Sequence, residues 1–176
     1  MKWLTRIAAF LPFNQGKPWT ALGVLVVLAL LLISFATTCK GADSYVQAGV
    51  GPTMVRGVAP AIDVSLVYPE AGPNDSVIEV GATFIGGSTH RDKFQRNNFA
   101  WRVAIVDGFG PIEVGLGVAY LQNVDAFNGS HTNFNLILGF RFRSIPLTLR
   151  VHHFSNGGTV SPNLGRDMLL AFWRFE

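Results

Sequence analysis

From residue 98 onward, apolar and polar side chains alternate with a period of two. Phe134, Leu136, Leu138, Phe140 and Phe142 fall on one side of a stretch whose other side reads Asn133, Asn135, Ile137, Gly139, Arg141 and Arg143. Successive side chains of a strand point to opposite faces, so this stretch is a strand with one apolar and one polar face. Ile112, Val114, Leu116, Val118 and Tyr120 repeat the pattern against Glu113, Gly115, Gly117 and Ala119. Phe99, Trp101, Val103 and Ile105 repeat it against Ala100, Arg102 and Ala104. The pattern predicts eight strands, near residues 44–54, 61–68, 77–87, 98–106, 111–123, 132–144, 146–155 and 167–176. Turn residues stand between them at Gly72-Pro73-Asn74-Asp75, Asp107-Gly108, Asn128-Gly129 and Asn156-Gly157-Gly158.

Short, evenly spaced strands mean a sandwich or a barrel. A soluble sandwich buries its apolar faces, whereas a membrane barrel turns them to lipid and fills its lumen with the polar ones. Periodicity alone does not separate the two. The segment 21–36, ALGVLVVLALLLISFA, carries no charge and follows a basic stretch ending at Lys17, the order of a secretory signal. Small residues favour cleavage after Ala36, with a second option near Ala42. An apolar run of this length also borders on a spanning helix. The pattern favours a cleaved signal over a retained anchor. Together with the aromatic-rich apolar faces, this leader points to an all-β fold: an eight-stranded antiparallel transmembrane β-barrel over 43–176 behind a leader segment of residues 1–42.

Composition narrows the picture further. The chain has 176 residues, of which 49% are hydrophobic and only 14% charged, which excludes a disordered chain or a coiled coil. The net charge of +3 divides unevenly. Lys2, Arg6, Lys17 and Lys40 precede the first acid, and residues 43–176 hold ten basic and eleven acidic side chains, so no basic face remains for nucleic acid. Cys39 is the single cysteine, which excludes a disulfide framework and a cysteine-built zinc site. His90 and His131 lack partners at ligand spacing, and no metal or cofactor is expected. Arg91, Lys93 and Arg96 form a basic loop, read as solvated surface in preference to a contact for phosphate groups. Arg102, Glu113, Arg141 and Arg143 are expected to pair in the lumen.

One segment carries chemistry. His153 and Ser155 are two apart, hence on one strand face, which continues back through Val151, Leu149 and Leu147 on the apolar side. The loop that follows is centred near residue 160, which sets His153 opposite Asp167 on the face of Leu169, Ala171 and Trp173. Ser, His and Asp are thereby predicted on one outward patch. A nucleophile needs a base to take its proton, and the base needs an acid to fix its tautomer. The competing reading is plain: S-N-G-G is ordinary hairpin punctuation, and H-x-S is common by chance.

The run His153-Phe154-Ser155-Asn156, then Gly158, Pro162-Asn163 and an acid at 167 before an aromatic last strand, resembles the C-terminal signature of the PagL-type lipid A 3-O-deacylases. The resemblance covers about 25 residues, 151–175. It implies an outer-membrane barrel of a Gram-negative bacterium that hydrolyses the ester-linked acyl chain at the 3 position of lipid A, with lipopolysaccharide in the outer leaflet as its partner and no cofactor. It implies Ser155 as nucleophile, His153 as base and Asp167 as orienting acid. Asn163 and the Gly158 amide would be oxyanion donors, with Asn156 beside them at the substrate. Better-known members carry Glu where this chain has Asp167. The shorter side chain requires the strand to bring it closer or a water to bridge. The rival function is a small non-catalytic outer-membrane barrel, structural or adhesive. A second rival is a periplasmic β domain held by a retained leader.

Overall fold

The computed structural model describes residues 44–54, 57–69, 76–90, 93–125 and 127–175. The leader expected over 1–42, its cleavage points and Cys39 lie outside the described residues. Ten strands follow in order: β1 (Tyr45–Met54), β2 (Pro60–Pro69), β3 (Val77–Ile85), β4 (Ser88–His90), β5 (Lys93–Gln95), β6 (Asn98–Phe109), β7 (Ile112–Leu121), β8 (Thr132–Arg141), β9 (Leu147–Ser155) and β10 (Arg166–Phe175). Eight of them form one closed antiparallel barrel in which each pairs with its neighbours along the chain, and β10 returns to pair with β1. The exceptions are β4 and β5, a small hairpin within the β3–β6 connection, where the sequence pattern predicted only a loop. Both chain ends of the barrel and the turns at 110–111 and 142–146 lie at one end. The connections 86–97, 122–131 and 156–165 lie at the other.

The apolar faces point outward. Trp101, Leu116, Phe134, Leu138 and Trp173 are 46–59% exposed, whereas Arg102, Glu113 and Arg150 are each 2% exposed. That is the inverted arrangement of a membrane-spanning barrel, which closes every edge strand and presents its apolar belt to lipid. On β1 and β2 the outer positions Val46, Val64 and Leu66 instead pack into a buried cluster with Ala48 and Tyr68.

The lumen is filled by charges that satisfy one another. Arg102 donates to both oxygens of Asp63, at 3.0 and 2.8 Å, and to Glu79 at 3.1 Å. Arg150 lies 2.7 Å from both Glu79 and Glu113, and Arg141 reaches Glu113 at 2.8 Å. Ser65 and Thr83 complete the shell of Asp63, at 3.1 and 2.5 Å. Three carboxylates thus face three guanidiniums, and their pairing fills the lumen with balanced charge. Arg143 departs from expectation: β8 ends at Arg141, and Arg143 sits exposed in the 142–146 turn.

Candidate active site

The site is built on the hairpin of β9 and β10, at the loop-rich end. Alternation along β9 turns Thr148, Arg150, His152 and Phe154 inward, all buried, and leaves Leu149, Val151, His153 and Ser155 outward. Along β10, Arg166 and Met168 are buried while Asp167 and Leu169 face out. The register pairs Asp167 with His153, as the position of the loop centre predicts. The imidazole Nδ1 lies 2.7 Å from Asp167 Oδ1, with about a third of the His153 side chain and a quarter of that of Asp167 exposed. The shorter acid therefore reaches the ring directly, with no bridging water. An acceptor at Nδ1 fixes the proton there and leaves Nε2 as the basic nitrogen.

Ser155 stands on the same face, paired with Phe134 of β8. Its Oγ accepts the Gly157 amide at 3.2 Å and is not hydrogen-bonded to the imidazole. Side chains two apart on a strand start about 6.6 Å from one another, a gap that an imidazole and a rotating hydroxyl can close. Catalytic hydrogen bonds commonly tighten only with substrate bound. Two glycines shape this surface. Gly157 has a positive φ of 65°, and a Cβ there would meet the Phe134 ring at 2.8 Å. Gly165, at φ 71°, lies against the free edge of the imidazole, where a Cβ would stand 2.8 Å from Cε1 of His153.

The loop candidates divide. Asn163 is exposed, and its Oδ1 accepts the Asn156 amide at 3.0 Å, which leaves its Nδ2 as the uncommitted donor. Asn156, the third candidate, is taken up by the loop itself. It is 1% exposed, its Nδ2 donates to the Val160 carbonyl at 2.7 Å, and its carbonyl accepts from Thr159, so it organises the loop from within. The Gly158 amide is likewise turned to Asn156 Oδ1, at 3.0 Å. The amide beside the candidate nucleophile belongs to Gly157.

His152 points into the lumen, fully buried and stacked on Phe172 at 5.5 Å between centroids. His131 is also structural, with Nδ1 2.7 Å from the Leu121 carbonyl and its ring stacked on Tyr120. The side chain of His90 lies outside the described residues. No group of three or more His, Cys, Asp or Glu side chains suited to a metal occurs among the described residues. Sequence reasoning missed the ion pair of Asp125 with Arg166, both nearly fully buried, which joins the 122–131 loop to the start of β10. The one signal was the V-D-A-F-N-G run, readable as a turn but not as a partner of Arg166.

A family model described as lipid A 3-O-deacylase (PagL) matches residues 99–176, a span that holds every candidate residue of the site. The resemblance read from 151–175 therefore extends back to the start of β6. Among solved structures, that of the outer membrane enzyme PagL superposes with a TM-score of 0.56 at 23% identity, over 74% of this chain and 98% of that one. It shares the barrel fold. The Yersinia pestis outer membrane protein Ail, solved in a phospholipid bilayer nanodisc, matches with a TM-score of 0.47 at 13% identity, over 76% and 100% of the two chains. No curated protein matches the chain.

Proposed function

We propose that this chain is an outer-membrane lipid A 3-O-deacylase that works by acyl transfer through Ser155. The observation that carries the reading is the His153–Asp167 contact of 2.7 Å, on the lipid-facing surface with Ser155 on the same strand face. Titratable side chains on an apolar membrane face are costly and need a reason to be there. The family match over 99–176 supplies the substrate class.

In this reading His153 Nε2 takes the Ser155 proton as Oγ attacks the ester carbonyl carbon. Asp167 holds the ring and stabilises the imidazolium that forms. The tetrahedral intermediate expels the sugar oxygen, which leaves as the alcohol with the proton from His153. Water, deprotonated by the same nitrogen, then attacks the acyl-Ser155 carbonyl and frees the fatty acid and the serine. Each oxyanion donor is typically worth about 2.7–4 kcal/mol. Asn163 Nδ2 is the donor left uncommitted by the loop. The Gly158 amide joins it once released from Asn156, while Gly157 already has its amide at Oγ. The outer face suits a substrate that diffuses laterally in the leaflet, and the signal-like leader suits export to the outer membrane of a Gram-negative cell.

The test is a lipid A mass spectrum from Gram-negative cells expressing the chain. The expected result is loss of one 3-hydroxyacyl mass, absent with Ser155→Ala. An unchanged spectrum with a folded barrel in the outer membrane would refute the enzyme and leave the non-catalytic barrel.

A further inference from the structure

We infer that Asp125 and Arg166 are positioning residues that hold the first residues of β10, and with them Asp167, in register against His153. The inference rests on the esterase reading of this site. Arg166 directly precedes Asp167 and pairs in the ladder with Phe154, the residue after His153. Its side chain turns inward to the carboxylate of Asp125, and the two side chains are only 1% and 3% exposed. The other oxygen of Asp125 accepts the amides of Phe127 at 2.9 Å and Asn128 at 3.3 Å, which closes a turn. That turn in turn grips the loop carrying Asn163. Leu164 donates to the Phe127 carbonyl at 2.8 Å, Gly129 donates to the Pro162 carbonyl at 2.7 Å, and Asn128 bridges Asn163. The two loops touch so closely that a Cβ on Gly129 would stand 2.8 Å from the Ser161 carbonyl.

The pair is poorly built for stability. Nε and Nη1 of Arg166 are buried without partners, so a desolvated guanidinium uses little of its donor fork. Buried pairs of this kind are often replaced by apolar residues at no loss of stability, and their best-attested use is to fix a register. The β9–β10 ladder continues from Met168 to Trp173 without help from Asp125. Loss of the pair therefore frees only the end of the strand, where Asp167 sits.

The experiment uses the full chain refolded in detergent, with ¹⁵N-labelled histidine, and compares Asp125→Asn, Arg166→Met and the charge-reversed double variant Asp125→Arg/Arg166→Asp. Two readouts are taken on folded barrel: steady-state deacylation of lipid A, and the His153 Nδ1–H resonance, assigned by its loss in Asp167→Asn. Each single variant is expected to lower kcat on the order of tenfold with KM little changed, and to weaken the Nδ1–H signal, because misplacing a catalytic group acts on the reaction step. The reversed pair is expected to recover part of both. Folded single variants with wild-type kcat and an intact signal would overturn the inference, as would a kcat loss with the signal intact or a loss confined to KM. Should Asp125→Asn fail to fold, Arg166→Met, which keeps the volume, carries the test. A wild-type chain with no deacylase activity would sink the functional reading, while the resonance still decides whether the pair positions His153 and Asp167.

Discussion

Gly165→Ala is a one-carbon test of how the imidazole is held. The new Cβ would stand 2.8 Å from Cε1 of His153 and 3.4 Å from Nε2. Carbon atoms rest about 3.5–4.0 Å apart, so the ring must retreat by roughly 0.7 Å or more. It cannot retreat freely, because Nδ1 is tied to Asp167 at 2.7 Å. Either that bond lengthens, or the ring pivots about it and swings Nε2 away from the serine. A displacement near 1 Å at a catalytic group costs on the order of 10²-fold in rate. The backbone adds a penalty of its own, since φ is +71° and an L-residue there costs about 1–2 kcal/mol. Gly110→Ala isolates that second effect: its φ is +64°, in the β6–β7 turn at the far end, with nothing within 4 Å of the added carbon. Release of fatty acid from lipid A by refolded protein, followed by mass spectrometry, gives kcat. Heat-dependent gel mobility gives the folded fraction. Gly110→Ala should lose stability and keep its kcat, and Gly165→Ala should lose both. If the two variants match in kcat, Gly165 does not set the ring position and the reasoning fails.

Other expected outcomes follow from the same geometry. Ser155→Ala and His153→Ala should each abolish deacylation, whereas His152→Phe should leave it within about threefold, since a buried ring of similar volume only repacks against Phe172; lipid A spectra of the three decide this, and activity surviving Ser155→Ala ends the triad assignment. Asp167→Ala should cost less than Ser155→Ala, as orienting acids of triads do, and Asp167→Glu should remain active; comparison of kcat values checks both. Arg102→Leu leaves Asp63 and Glu79 with a missing partner inside the lumen, and should lower unfolding stability by about 3–5 kcal/mol in urea titrations, with an unchanged midpoint refuting the structural role given to the network.

Much of this barrel was legible because its sequence signal is local. Period-two alternation placed all eight barrel strands within a few residues of their observed bounds, and it placed His153 and Ser155 on one face without any knowledge of the fold. The position of Asp167 needed one further step, the symmetry of a hairpin about its loop, and the observed register has that pairing. What the alternation could not carry is what loops do. Asn156 reads as polar and near Ser155, hence a candidate substrate contact, yet its amide is consumed inside the loop by Val160 and Gly158. The link from Asp125 to Arg166 spans 41 residues, from the 122–131 loop to the first residue of β10, a distance at which no periodicity constrains partners. The β4–β5 hairpin was invisible for a different reason: three-residue strands are too short to show alternation.

The alternation also explains how a lipid-exposed surface can be stiff enough for the proposed chemistry. A catalytic side chain in a solvent-filled cleft is braced by neighbours around it, but one facing lipid has fluid hydrocarbon on its open side. Here the bracing comes through the backbone. His153 is flanked by His152 and Phe154, both 0% exposed, and Asp167 by Arg166 and Met168, also buried. Each outward residue of the pair is thus fixed by the two inward ones beside it, which are locked in the packed lumen. Sites are best held when supporting side chains are immobilised by packing on regular strands rather than on loops. The lumen plug of Asp63, Glu79, Glu113 and their arginines then has a consequence at the surface, because Arg150 of β9 lies within it, on the inward face two residues before His152. A barrel with a wet, open lumen would hold the same three outward residues on walls free to breathe.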